Sequence, residues 1–151
     1  MIKIKIKNKN EDKNSPGLLE NGIQWEIILC NAVRYASAEV VYYLIHIVGI
    51  EAWNATFEGK NVIHLAVENR DRRVMRDLLN LPTSKRPDLN ALCDTPENYR
   101  GTALHLAARY RDKIDAYRLL IEYGIDETIH DSDGNLACEI NAYDIKKQSL
   151  G

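Results

Sequence analysis

Four side chains of metal-binding type recur at nearly even intervals. Cys30, His64, His105 and Cys138 lie 34, 41 and 33 positions apart. Thiolate and imidazole are the usual donors of tetrahedral zinc sites, so a zinc centre is the first chemistry to weigh. Two further groups invite a catalytic reading: Cys93 stands beside Asp94, and Ser132 lies between Asp131 and Asp133. A nucleophilic cysteine needs a nearby base, and no histidine is close to Cys93 in sequence, so a free surface thiol is expected there. Asp131-Ser132-Asp133-Gly134 reads as a turn, without the strained strand-to-helix elbow of a hydrolase nucleophile. No glycine-rich phosphate loop is present. The expectation is neither an enzyme nor a cofactor carrier.

The four zinc-type residues are spaced by a repeat. Gly101-Thr102-Ala103-Leu104-His105-Leu106-Ala107-Ala108 is echoed by Lys60-Asn61-Val62-Ile63-His64-Leu65-Ala66-Val67. Leu78-Leu79 matches Leu119-Leu120 at the same spacing, and a shift back of 34 sets Leu44-Ile45 on Leu78-Leu79. A shift forward of 33 brings Gly134 to Cys138 onto Gly101 to His105. Self-similarity at such a period marks units that stack and bury their apolar faces on one another. Stacked helices lie about 8–10 Å apart. Ligands spread over four units therefore cannot all come within the roughly 2.0–2.3 Å that zinc requires, and no metal is expected.

Within the clearest unit, Thr102 to Arg111 predicts a first helix with Thr102 as its N-cap. Ile114 to Tyr123 predicts a second, with Ala116, Tyr117, Leu119 and Leu120 on its buried face and Gly124 as its stop. The repeats fall at about 25–57, 58–98, 99–131 and 132–148, the last one partial, within a domain of 18–148. Residues 1–17, with Lys3, Lys5, Lys7, Lys9 and Lys13 and the break Ser15-Pro16-Gly17, read as a flexible tail. The second unit is eight residues longer than the third; the excess divides between Leu81 to Pro87 and Ala91 to Arg100.

Composition narrows the class of partner. A net charge of -2 argues against nucleic-acid binding, which favours a strong basic excess. The apolar run Val40 to Ile50 is too short to span a bilayer, and no secretory leader is read at the N-terminus, so a cytoplasmic protein without a membrane partner is expected. Three unclustered cysteines fit free thiols rather than a disulfide framework. The sequon Asn54-Ala55-Thr56 is read as a chance match. Arg70 and Arg72 align with Arg111 and Lys113, and with Arg73 and Arg76 they predict a basic stripe, either solvated or a strip for an acidic partner.

Thr102 to Ala108, followed by Leu119-Leu120-Ile121-Glu122-Tyr123-Gly124-Ile125-Asp126, resembles an ankyrin repeat of about 33 residues. The resemblance covers roughly residues 25 to 145 and implies an all-α solenoid of about three helix-turn-helix repeats with a partial C-terminal cap. It implies that His105 bonds Thr102 and the neighbouring loop, with Asn61 and His64 as a variant pair. It also implies that the ends of the first helices line a binding groove: Arg34 with Tyr35, Glu68 with Asn69 and Arg70, and Arg109 with Tyr110 and Arg111. The loops, or fingers, that precede those helices often touch a partner in this family, which adds Asp94, Glu97, Tyr99, Arg100, Asp131 and Asp133.

More narrowly, Thr95-Pro96-Glu97-Asn98-Tyr99-Arg100-Gly101, leading into Thr102 to Ala107, looks similar to the Pro-containing finger of I-kappa-B proteins. Those proteins mask the nuclear import and DNA contacts of Rel/NF-kappa-B factors. The chain lacks an acidic or Pro/Glu/Ser/Thr-rich tail and a phosphorylation degron, and in this it resembles the truncated I-kappa-B-like proteins of insect-associated polydnaviruses, the vankyrin type. Two readings stand. One is a Rel inhibitor that suppresses host immune signalling in the cytoplasm, and in the nucleus as well; the other is a general adaptor for another cytosolic protein. In both the free protein is a monomer.

Overall fold

The computed structural model describes residues 24–140; the side chain of Arg111 is also outside the description. The tail assigned to 1–17 and the domain end placed at 148 lie outside the described residues. Helices α1 (Trp25–Tyr35) and α2 (Ala38–Tyr42, continuing as a π-helix over Tyr43–Val48) form the first pair. A two-stranded antiparallel hairpin follows, β1 (Thr56–Phe57) and β2 (Lys60–Asn61). Then come α3 (Val62–Glu68) and α4 (Arg72–Leu79). The third pair is α5 (Ala103–Ala108) and α6 (Ile114–Glu122), with a short 3-10 turn over Arg111–Lys113 between them, and α7 (Ala137–Ile140) ends the described chain.

The helices stack in two layers: α1, α3, α5 and α7 pack side by side in one, and α2, α4 and α6 in the other. Helices this short are marginal alone in water, so packing of their apolar faces carries them. Leu29, Val33, Ile63, Leu65 and Leu104 fill the first layer; Val41, Leu78 and Leu120 close the second against it. The expected first helix of the third unit is shorter than its sequence suggests. It stops at Ala108, and Tyr110 has an extended backbone that starts the 3-10 turn. Gly49 and Gly124 end their outer helices at φ +84° and +88°, the left-handed conformation for which glycine is the least costly residue.

The fingers stack as well. Asp94 N donates to Gly59 O at 2.8 Å, and Ser132 N donates to Arg100 O at 2.7 Å. This pairing locates the eight extra residues. Leu79 to Asp94 is 15 positions where Leu120 to Ser132 is 12, and Asp94 to Gly101 is seven where Ser132 to Gly134 is two. Three thus lengthen the approach and five lengthen the finger tip, where Thr95 N donates to Tyr99 O at 3.2 Å and Asn98 takes φ +60°. Gly59 is required at its position. At φ +76°, an added Cβ would lie 1.8 Å from Asp94 O.

Candidate functional site

Buried polar side chains hold the stack in register. His64 and His105 are each 1% exposed and sit one turn inside α3 and α5. Asn61 caps α3 by accepting from Ile63 N at 3.0 Å and His64 N at 3.1 Å, while its own N–H donates back to His64 Nδ1 at 3.2 Å. Thr102 N donates to His105 Nδ1 in the same way, at 3.0 Å. With Nδ1 accepting, the network assigns the ring proton to Nε2. That nitrogen then donates to the next finger: His64 Nε2 to Gly101 O at 3.3 Å and His105 Nε2 to Asn135 O at 3.0 Å. Each histidine thus ties a helix start to the unit that follows, as the resemblance implied. Burial, partly offset by hydrogen bonds at Gly101 and Ala91, pushes His64 down to about 4, so it is neutral at physiological pH.

Among the described residues no cluster of metal-ligating side chains is formed, and Cys30 is buried while Cys138 is exposed. Burial pushes the Cys30 thiol up to about 11, so it is no nucleophile. Cys93 corrects the sequence reading. It is fully buried rather than a surface thiol, because its N–H pairs with Gly101 O at 2.8 Å and draws the finger base inward.

The helix-end edge divides into available and committed residues. Tyr35 is 70% and Tyr110 50% exposed, and Arg34 lies 5.1 Å over the Tyr35 ring. Arg34 is also ion-paired to Glu68, which takes Lys60 Nζ at 3.3 Å on its other oxygen. Asn69 is a correction. It is buried, and its Nδ2 donates to Val33 O and Ala36 O, both at 2.8 Å, so the amide is a staple between units and not a contact surface. Arg70 and Arg109 are exposed; the side chain of Arg111 lies outside the description.

In the fingers, Asp94, Glu97, Arg100 and Asp133 are exposed, with Asp94 and Arg100 3.9 Å apart across the lengthened tip. Tyr99 is half-buried under the Arg109 guanidinium, 3.8 Å from its ring centre, and its hydroxyl donates to Asp131 Oδ2 at 3.1 Å. Asp131 is therefore a further correction. It is buried, and although burial opposes it, N–H groups of Asn135 and Asp133 and the Tyr99 hydroxyl hold its carboxyl below the usual range. It organises the finger instead of facing a partner.

The basic stripe is partly spent within the stack. Arg72 is paired with Asp115, and Arg73 bridges Glu39 at 2.7 Å and Asp71 at 2.8 Å. The sequence reading missed Asp71, which accepts Ala38 N at 3.0 Å and is pulled down to about 2 by Arg73 and that N–H. Its place before the first residue of α4 was an N-cap signal that could have found it.

What the arrangement offers is surface, with exposed tyrosine and arginine side chains at the fingers and helix ends. A model for ankyrin repeats in three copies matches residues 18–131, most of the chain. No curated protein matches the chain.

Proposed function

The chain belongs to the ankyrin-repeat family and is thus a protein–protein interaction module; from that premise we propose that its partner is a Rel/NF-kappa-B transcription factor, which it sequesters. The observation supporting the reading is the Pro-containing finger, Thr95 to Gly101, leading into α5 and set beside exposed Arg109 and Tyr110. Tyr99 and Arg109 stack, so finger and helix end present one preorganised face, flanked by Asp94, Glu97 and Arg100. Aromatic and arginine side chains at such a face are the usual anchors of protein interfaces. Tyr35, with Arg34, extends it toward the first unit. In this reading the protein acts in the cytoplasm and nucleus of a host cell, and it blunts immune signalling without regulated destruction. No reaction step is part of the function.

The test is capture of a purified Rel-homology domain by the full-length chain. Arg109→Ala and Tyr110→Ala each lower affinity about tenfold, or about 1.4 kcal/mol. Absence of any complex with the unaltered chain removes Rel factors as the partner and leaves the general adaptor.

A further inference from the structure

The first two inter-unit joints are built differently. At the first, Asn69 clamps Val33 O and Ala36 O, and Asp71 accepts Ala38 N, so polar groups close the gap between α2 and α4. At the second, 41 positions on, Tyr110 stands where Asn69 did and is 50% exposed. A phenol has one hydrogen to donate where the amide has two, so the carbonyl clamp cannot be rebuilt. Between α4 and α6 a groove of about 360 Å³ opens instead.

Ala116 and Leu119 give it a small, partly exposed apolar floor, while Val67 and Met75 are buried. Ala116 and Leu119, both expected on the buried face of α6, are only partly buried because of this opening. Its rim is cationic. Arg70, Arg76 and Arg118 line it, and among the described residues none of the three has an ion-pair partner. Arg72 is neutralised by Asp115, and Lys113 reaches Glu68 O at 3.3 Å. Against these stand Asp112 and Glu122, so the groove keeps a positive excess on a chain of net charge -2.

We propose that this groove, which meets the helix-end edge at Arg70 but is distinct from the finger face around Tyr99, Arg109 and Tyr110, is a second docking site, and that it takes an acidic peptide segment carrying a large aliphatic side chain. Carboxylates match the three unpaired guanidinium forks, and the aliphatic group covers Leu119 and its neighbours. An anion alone would leave that apolar floor in water, and the floor is why a peptide is favoured over a phosphate.

The experiment is fluorescence anisotropy of the full-length chain with a labelled Asp-Asp-Glu-Leu-Leu-Asp-Glu-Asp peptide. Saturable, salt-sensitive binding is expected, weakened at least about tenfold by the double substitution Arg76→Glu/Arg118→Glu. Arg76→Gln/Arg118→Gln, which introduces no new charge, weakens it in the same direction and guards against misfolding of the first variant. Tyr35→Ala and Arg109→Ala leave it unchanged, which separates this site from the Rel-binding face. Four results overturn the proposal: no saturable binding, affinity indifferent to both arginine variants, loss on Arg109→Ala, or equal affinity for a peptide with serine in place of both leucines. Competition by inorganic phosphate as strong as by unlabelled peptide overturns it in favour of a simple anion site.

Discussion

Acidification tests whether buried histidine carries the joint between the second and third units. The unfolded chain protonates His64 near the ordinary 6.5, whereas the folded chain does so only near 4. Between those values the unfolded state binds the extra proton, so stability is complete above the upper value and drains as pH falls toward the lower. The gap amounts to about 3 kcal/mol in all, of which about 2 kcal/mol is lost between roughly pH 7 and pH 5. The structural cause is explicit. His64 is 1% exposed, its Nδ1 must accept from Asn61 N, and a charged ring in that position has no water to solvate it. Urea unfolding followed by circular dichroism at both pH values measures the loss, with His64→Gln alongside. The variant is weaker at neutral pH by about 1–2 kcal/mol, because glutamine cannot serve Asn61 N and Gly101 O together. It escapes the histidine-dependent part of the acid loss, so the two midpoints draw together on acidification. Asp71, pulled down to about 2, destabilises only at still lower pH and does not confuse the comparison. Equal losses in the two proteins would refute the reasoning, since the proton would then be taken up elsewhere.

Two further outcomes follow from the packing. Asn69→Ala strips Val33 O and Ala36 O of their shared donor and costs about 2–3 kcal/mol, with hydrogen exchange rising first in α1 and α2; unchanged exchange there would deny the staple. With a disulfide reagent under native conditions, Cys138 reacts promptly while Cys30 and Cys93 wait for unfolding, and fast modification of Cys93 would contradict its burial.

Much of this molecule is legible from local pattern. The 34-, 41- and 33-residue spacings fix which residues occupy equivalent places in the stack. Thr102 and Asn61 announce helix starts, and Gly49 and Gly124 announce helix ends, because capping depends on a few neighbouring residues and their φ angles. The excess length of the second unit, split between approach and finger, is likewise countable.

Tertiary structure decided which polar residues face outward. Asn69 shares its position in the repeat with exposed Tyr35 and Tyr110, yet it is turned inward, as Asp131 is, by partners more than 30 positions away. Cys93 is buried because its backbone pairs with Gly101 in the segment leading to α5. The arginines looked like one continuous stripe, but Arg72 and Arg73 meet carboxylates on adjoining helices while, among the described residues, Arg70 and Arg76 do not. Charge pairing and burial depend on distances between chain segments, and those distances are set by how the units settle on one another; the Asn69 amide closes one joint, and where Tyr110 takes its place at the next a groove stands open.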